Sequence, residues 1–218
     1  MDDLAEREVL RIVEETKDPH VNVLSEEAGF VDRGAAETLV VDPIDGTTNA
    51  SRGLPLYCVS LAIGSRRLSD VRVGLVRNIP TGDDYFARRG EGAFRNGDRL
   101  RSRVFDPKDV VISPELGVHA KGQALYLASQ KYYVRSFGAA ALEMCFVAEG
   151  ALDLYYMAQE KLRVIDIAAS TLILREAGGL VLNAQGQELD MDLSLTPRSS
   201  VLAAGSREAL AAMEVFRP

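Results

Sequence analysis

The spacing of apolar residues changes along the chain, and each spacing predicts a type of secondary structure. Apolar residues three and four positions apart open the sequence, which predicts an amphipathic helix over residues 5–13. Short apolar runs bounded by Gly, Asn, Pro and Asp follow, and such runs are typical of strands. They lie at residues 21–24, 38–41, 57–63, 72–76 and 85–88. We therefore expect a first half that is rich in β-sheet.

The pattern shifts near Pro107, where longer helical stretches begin to alternate with single strands. The stretches 138–149 and 167–177 are predicted helices because each carries apolar residues at helical spacing and ends at glycine. The second is apolar nearly all round, which indicates a buried helix. The remaining predicted elements are strands at 110–112, 152–156, 180–182 and 201–204 and a helix over 208–216. We expect an N-terminal α+β domain over residues 1–109 and a C-terminal α/β domain over residues 110–218.

Composition narrows the classes of protein that fit this pattern. The chain has 218 residues, 47% of them hydrophobic, and a formal net charge of −7 from 32 acidic and 25 basic residues. This acidic excess argues against a nucleic-acid partner, because phosphate backbones are bound by basic residues. No stretch approaches the roughly 20 apolar residues of a membrane span, and no signal peptide is visible. Since Cys58 and Cys145 are far apart in a chain long enough to fold without disulfides, we expect a cytoplasmic protein.

The segment 41–49, Val-Asp-Pro-Ile-Asp-Gly-Thr-Thr-Asn, carries the clearest chemical signal. A buried strand runs into Asp42, and Pro43 biases that residue towards an extended backbone, so the chain must turn here. The amides that follow Gly46 can begin a short helix and point together at an anion. Carboxylates beside such a site attract a phosphate only when divalent cations such as Mg²⁺ neutralise them. The segment therefore indicates metal-assisted phosphoryl transfer to water.

Other interpretations of the acidic residues stay open at this level. Asp-Pro-x-Asp-Gly consists of turn-forming residues, the glutamate pair at 26–27 can lie in a solvated turn, and Asp166 can cap a helix. A haloacid-dehalogenase-type phosphatase also places acids at a strand end, with two aspartates two positions apart. Asp42 and Asp45 are three positions apart with a proline between them, which favours metal ligation over a covalent aspartyl intermediate.

Several different short motifs, rich in Gly, Ala and acidic residues, are distributed along nearly the whole chain. They are Glu-Glu at 26–27, residues 42–49, Gly-Glu-Gly-Ala-Phe-Arg-Asn-Gly at 90–97, Arg-Ser-Phe-Gly-Ala-Ala-Ala at 135–141, Asp-Ile-Ala-Ala at 166–169, Glu-Ala-Gly-Gly at 176–179 and Leu-Ala-Ala-Gly-Ser at 202–206. In this order they resemble the inositol monophosphatase family of lithium-sensitive, magnesium-dependent sugar phosphatases. The resemblance implies a mixed α+β and α/β fold, arranged as a layered αβαβα sandwich, in a homodimer.

The resemblance also implies a metal site and its catalytic residues. Two or three Mg²⁺ ions would be bound by four carboxylates and one backbone carbonyl, namely Glu26, Asp42, the carbonyl of Ile44, Asp45 and Asp166. Bridging through one shared aspartate would place one cation to activate water and another to stabilise the leaving oxygen. In addition to Glu26 and Asp45, the implied catalytic residues are Thr47, which would orient the attacking water, and Asp2, its partner.

The same resemblance implies where the substrate binds. Backbone amides of Gly46 and Thr47 would bind the phosphate, and small residues at 138–140 (Gly138, Ala139 and Ala140) would leave room for the sugar. Met157 stands where inositol-specific members carry an acid that binds ring hydroxyls. Lys161 and Arg163 could hold a second phosphate, as in the archaeal branch that hydrolyses both fructose 1,6-bisphosphate and inositol phosphates.

Sequence reasoning therefore predicts a magnesium-dependent phosphomonoesterase that acts on fructose 1,6-bisphosphate, inositol 1-phosphate or both. Two alternatives stay open. One is a 3′(2′),5′-bisphosphate nucleotidase of the same superfamily, and the other is a catalytically weakened protein that acts as a regulatory binding partner. Glu26, Asp42, Asp45, Thr47 and Asp166 speak against the second, because a binding module has no need for five polar groups from separate segments.

Overall fold

The computed structural model describes residues 2–16, 20–116 and 122–212, without the side chains of Asp2, Asp3 and Gln123. Within these ranges the elements are, in chain order, α1 (Asp2–Glu15), β1 (Asn22–Ser25), β2 (Gly29–Val31), β3 (Thr38–Asp45), α2 (Thr47–Arg52), β4 (Cys58–Gly64), a short 3₁₀ helix (Leu68–Asp70), β5 (Val73–Asn78), β6 (Asp84–Arg88), β7 (Gly92–Arg95), β8 (Asp98–Arg99), β9 (Val111–Pro114), α3 (Gly122–Ala128), β10 (Tyr133–Val134), α4 (Ala140–Glu149), β11 (Leu154–Leu162), α5 (Val164–Glu176), β12 (Leu180–Leu182), β13 (Ser199–Ala204) and α6 (Arg207–Ala212).

The first eight strands form one sheet in the order β2-β1-β3-β4-β5-β6-β7-β8. Strands β3 to β8 are each antiparallel to the next, whereas β1 lies parallel to β3. Antiparallel neighbours need only short turns, which explains why Gly, Asn and Asp clusters punctuate this half of the chain. Because β1 and β3 run in the same direction, their carboxyl ends meet at one edge of the sheet.

The other five strands form a second sheet in the order β10-β9-β11-β13-β12. Helix α4 contacts both α5 and β11, and α5 also packs against β3 to β7 of the first sheet. These two helices therefore lie between the sheets, while α3 contacts β9 and β11 and α6 contacts β13. With α1 against β3, the layers follow the order helix, sheet, helices, sheet, helices, as the layered sandwich predicts.

Helix α5 shows why this order is stable. Its residues from Val164 to Leu174 are all buried, which confirms the helix predicted to be apolar nearly all round. Such a helix is stable only with protein on every side. It begins at Val164 rather than at residue 167, so Asp166 lies in the first turn and not before it.

Several other boundaries differ from the prediction. Strand β11 continues to Leu162, past the predicted end at 156, and α6 is described only to Ala212, so the end of the helix predicted over 208–216 lies outside the described residues. Six short elements have no counterpart in the prediction, namely β2, the 3₁₀ helix, β7, β8, α3 and β10. Strands of two to four residues have too little sequence for a period to show, and cross-strand pairing decides them instead.

The two sheets use strands from separate halves of the chain, residues 22–99 and 111–204. The division into two domains at residues 109 and 110 stays a prediction. Both cysteines are buried and free, as expected from their separation. No helix in the described ranges is long and apolar enough to cross a membrane.

Candidate active site

A cavity of about 500 Å³ lies where β1 and β3 end and where α4 and α5 begin. Its walls include the four carboxylates predicted as metal ligands, and they also include the main predicted substrate residues: Gly46, Thr47, Gly138, Ala139 and Ala140. These groups come from four separate segments of sequence. A volume of this size is typical of small-molecule sites.

A bulge in β3 places two of the carboxylates in this cavity. Asp42 pairs with Ser60 and Asp45 pairs with Cys58, so three steps along β3 face two steps along β4. In a regular strand, residues three apart point to opposite faces, and an extra residue removes that alternation. Pro43 has no N–H to donate to the ladder, which favours a bulge at this position. Asp42 and Asp45 consequently line the same cavity.

The carboxylate of Asp45 is held by the start of α4. The backbone N–H groups of Ala140 and Ala141 donate to it at 3.2 and 2.7 Å, and Sγ of Cys58 donates at 3.6 Å. Free amides at a helix N-terminus stabilise a negative charge. Asp45 thus joins the strand that carries the acidic motif to the loop that carries the predicted sugar-facing residues.

Asp166 lies in the first turn of α5, where it accepts hydrogen bonds from Arg163. The backbone N–H of Arg163 donates to Oδ2 at 2.7 Å, and the guanidinium donates to Oδ1 through Nη2 at 3.0 Å. The same guanidinium binds Glu26, with Nη1 to Oε1 at 2.5 Å and Nη2 to Oε2 at 2.9 Å. This pairing lowers the pKa of Glu26. Arg163 therefore links two of the predicted metal ligands.

Glu26 stands in a turn that a residue missed by sequence reasoning holds in place. Glu6 of α1 is only 3% exposed, and its carboxylate accepts hydrogen bonds from Ser25 Oγ at 2.9 Å and from the backbone N–H groups of Glu27 and Ala28 at 3.0 and 2.6 Å. A Glu side chain is rarely buried unless it is paired or hydrogen-bonded, and these three donors both satisfy the Glu6 carboxylate and hold the turn. The sequence signal is weak, because Glu6 is one of several charges on an amphipathic helix.

The acidic residues perturb one another strongly. Burial raises the pKa of Asp42 well above its usual value, and the charges of Asp45, Asp166 and Glu26 raise it further. Burial likewise raises the pKa of Asp45 to about 7, and the charge of Asp166 acts in the same direction. Carboxylates crowded in this way are stabilised as anions by a shared cation.

Gly46 and Gly138 line the cavity, and Asn49 forms hydrogen bonds to the segments beside them. Gly46 has φ of 88°, and a Cβ there would meet the Leu56 carbonyl oxygen at 3.0 Å. Gly138 has φ of 74°. Asn49, which closes the acidic motif, donates from Nδ2 to the carbonyls of Leu56 and Phe137 at 2.7 and 2.6 Å. The asparagine thereby ties α2 to the loop that leads into α4.

Two predicted site residues, Lys161 and Arg163, are not placed as the resemblance implies, and a third, Asp2, has no described side chain. Lys161 is exposed on β11 and is not among the residues that line the cavity. Arg163 lines the cavity, but its guanidinium is bound to carboxylates rather than directed to an open phosphate position. The side chain of Asp2 lies outside the described residues, so its predicted role with Thr47 stays a prediction. The Thr47 hydroxyl donates to the Ile44 carbonyl at 3.1 Å.

The donor set has the chemistry that Mg²⁺ requires. Its members are carboxylate and carbonyl oxygens, the hard ligands this ion prefers. Burial raises the pKa of Asp42, and the neighbouring carboxylates raise it further. Among the residues that the structure describes, no three acidic, His or Cys side chains are arranged as a complete metal centre. The carboxylates of Glu26 and Asp166 accept hydrogen bonds from Arg163, so they are directed to its guanidinium rather than to a common metal position. The ligand set stays a prediction.

Comparison with known proteins identifies the class. The chain is 37% identical over 196 residues to the fructose-1,6-bisphosphatase/inositol-1-monophosphatase of Methanocaldococcus jannaschii, covering 89% of this chain and 75% of that protein. It is 35% identical over 204 residues to the bifunctional NADP phosphatase/NAD kinase of Methanococcus maripaludis, covering 83% of this chain and 36% of that longer protein. A solved structure of an inositol monophosphatase-fructose 1,6-bisphosphatase superposes with a TM-score of 0.88 at 34% identity, covering 99% of this chain and 83% of that one.

The layered fold and the acidic cavity, together with these relatives, define a phosphoric monoester hydrolase. The model of the inositol monophosphatase family matches residues 1–215. The chain belongs to the inositol monophosphatase family, which confirms the resemblance of the sequence motifs.

Proposed function

We propose that this protein is a Mg²⁺-dependent phosphatase of small phosphorylated polyols, with fructose 1,6-bisphosphate and inositol 1-phosphate as its substrates. The observation that carries the proposal is the convergence of four carboxylates in one cavity, where burial and the charges of the other three raise the pKa of Asp42. The relative named for both activities is similar over most of this chain. We further propose that the protein acts in the cytoplasm as a homodimer.

In this proposal Glu26, Asp42, the Ile44 carbonyl, Asp45 and Asp166 hold the metal. Bound Mg²⁺ supplies charge that neutralises the phosphate and activates water. The protein's own contribution is placement: the β3 bulge presents Asp42 and Asp45 together, and the α4 amides keep Asp45 oriented.

The substrate would be bound by backbone groups rather than by side chains. Gly46 and Thr47 line the cavity beside the acidic motif, where their amides would bind the phosphate. The loop at 138–140 lines the same cavity, and Glu143 supports it by accepting from the Gly138 N–H at 2.9 Å. Small residues there leave room for a polyol to approach the backbone. Thr47 would orient the attacking water.

A phosphate-release assay tests this function. Wild-type protein with Mg²⁺ is expected to hydrolyse fructose 1,6-bisphosphate or inositol 1-phosphate, and a chelator should abolish the activity. Asp42→Asn should reduce kcat by at least about a hundredfold, because a neutral amide would hold Mg²⁺ far more weakly than a carboxylate does. Phosphate release that survives the chelator, or that Asp42→Asn leaves unchanged, contradicts the proposal.

A nucleotide substrate is the second candidate, and the similarity to an NADP phosphatase/NAD kinase favours it. NADP and adenosine 3′,5′-bisphosphate therefore belong in the same assay. Higher kcat/KM for either nucleotide than for both polyol phosphates would assign the site to nucleotides while keeping the metal mechanism.

A further inference from the structure

The cavity contains a fifth carboxylate, that of Glu115, which the metal site does not use. Glu115 follows β9, and its backbone N–H donates to the Tyr156 carbonyl of β11 at 2.8 Å, which fixes its position at the C-terminal end of β9 beside β11. Its side chain lines the cavity together with Tyr155 and Met157 of β11.

Glu115 comes from a different part of the fold than the acidic motif. It follows β9 of the second sheet, whereas Asp42 and Asp45 belong to β3 of the first sheet. Tyr155, which is 1% exposed, lines the cavity together with Glu115, Asp45 and Asp166. Burial raises the pKa of its phenol most, and the charges of Glu143 and of these three acids raise it further. The Tyr155 side chain thus neighbours the acidic cluster as well as the fifth carboxylate.

Within the described part of the chain, no hydrogen bond or ion pair engages the Glu115 carboxylate. Burial raises its pKa, and the charge of Lys161 opposes that change without forming an ion pair. A partly buried carboxylate without donors is unfavourable, and it becomes favourable when a ligand supplies hydroxyl groups. Met157 and Leu162, both apolar, also line the cavity and offer a polyol no competing acceptor.

We propose that Glu115 is the specificity-determining acceptor for the hydroxyl groups of a polyol phosphate whose phosphate lies at the acidic cluster. This inference rests on the proposed function and names the residue that selects the substrate class. A carboxylate accepts two hydrogen bonds from neighbouring hydroxyls and donates none. The position of Glu115 on the second sheet gives the cavity an acid that Met157 does not supply.

The test compares two esters that share a phosphate and differ in hydroxyl groups. Phosphate release is measured for cyclohexyl phosphate and for the better of inositol 1-phosphate and fructose 1,6-bisphosphate. Glu115→Gln is expected to raise KM for the polyol phosphate about tenfold and to change KM for cyclohexyl phosphate less than about twofold, because only the polyol donates to Glu115. Glu160→Gln, at an exposed position of β11 outside the cavity lining, is the matched control and should change neither KM.

The outcomes separate this inference from the proposed function. Wild-type protein that hydrolyses neither polyol phosphate contradicts the proposed function, and the inference falls with it. Wild-type protein that hydrolyses the polyol phosphate, while Glu115→Gln changes KM for both esters alike or for neither, overturns the inference alone. A thermal melt of Glu115→Gln within about 2 °C of wild type, alongside the selective KM change, excludes a structural origin of that change.

Discussion

Arg163 binds Glu26 through two parallel hydrogen bonds, although the two residues are 137 positions apart in the sequence. Its guanidinium also reaches Asp166, so one cation holds two predicted metal ligands that come from different elements. Paired bonds between a guanidinium and a carboxylate fix distance as well as orientation. The geometry of the acidic cavity therefore depends on a basic side chain that sequence reasoning assigned to the substrate.

Replacing Arg163 should lower the stability of the protein and its activity on every substrate, rather than its activity on one substrate alone. In the presence of a chelator, Arg163→Ala is expected to lower the free energy of unfolding by about 1.5–3 kcal/mol, since charged hydrogen bonds to Glu26 and Asp166 are lost. Urea unfolding measures this free energy, and the value for Arg163→Lys should lie between those of wild type and Arg163→Ala. Activity should drop alike on inositol 1-phosphate and fructose 1,6-bisphosphate. A loss confined to the bisphosphate would instead favour the second-phosphate role predicted from sequence.

Glu6 should matter for both stability and metal binding. Glu6→Gln keeps the shape of the side chain but weakens the hydrogen bonds that it accepts from Ser25 Oγ and from the two backbone amides of the turn. We therefore expect the free energy of unfolding to fall by about 1–3 kcal/mol. Calorimetric titration should show weaker Mg²⁺ binding, because the turn carries Glu26. Glu8→Gln on the same helix is the control: Glu8 pairs with Arg11 at the surface, where such pairs contribute little. Equal effects of both changes would refute the positioning role.

Gly46 should be far less replaceable than Gly53, although both have positive φ, 88° and 72°. Each alanine variant has the same kind of backbone strain, of order 1 kcal/mol. Only at Gly46 would the new Cβ also meet neighbouring atoms, with the Leu56 carbonyl oxygen at 3.0 Å and Ala139 Cβ at 3.1 Å. We expect Gly46→Ala to be more destabilising than Gly53→Ala by about 1–3 kcal/mol in thermal or urea unfolding. Equal losses would mean that the close approach is unimportant.

Stability in a chelator should fall as pH rises from about 3.8 towards 7. The folded-state pKa of Asp45 is raised from 3.8 to about 7, and that of Asp42 is raised as well. Below pH 3.8 these acids are protonated in both states and contribute no difference. Above it the carboxyls of the unfolded chain lose their protons at lower pH than those of the folded protein, so each raised carboxyl disfavours folding by an amount that grows with pH until its folded-state pKa is reached.

Urea unfolding across this pH range should show the decline, and Mg²⁺ should reduce it at neutral pH, because a bound cation stabilises the ionised carboxylates of the folded state. A decline of the same size with Mg²⁺ would refute cation sharing.

The sequence by itself determined the family and the helical and strand periods. Asp42 and Asp45 could be singled out because a predicted strand runs into a motif of turn-forming residues, whereas Glu26 and Asp166 joined them only through the family resemblance. The buried character of α5 was equally readable, since an all-apolar helix has to be enclosed.

Only the tertiary structure decided how these residues meet. Asp42 and Asp45 share a cavity because β3 bulges opposite β4, and a bulge depends on the partner strand as well as on Pro43. The roles of Glu6 and Arg163 were hidden because exposed Glu and Arg are the rule, and nothing local distinguishes the buried or bridging cases. The bonds that define those roles join residues far apart in the chain, and such contacts exist only once the sheets and helices have packed.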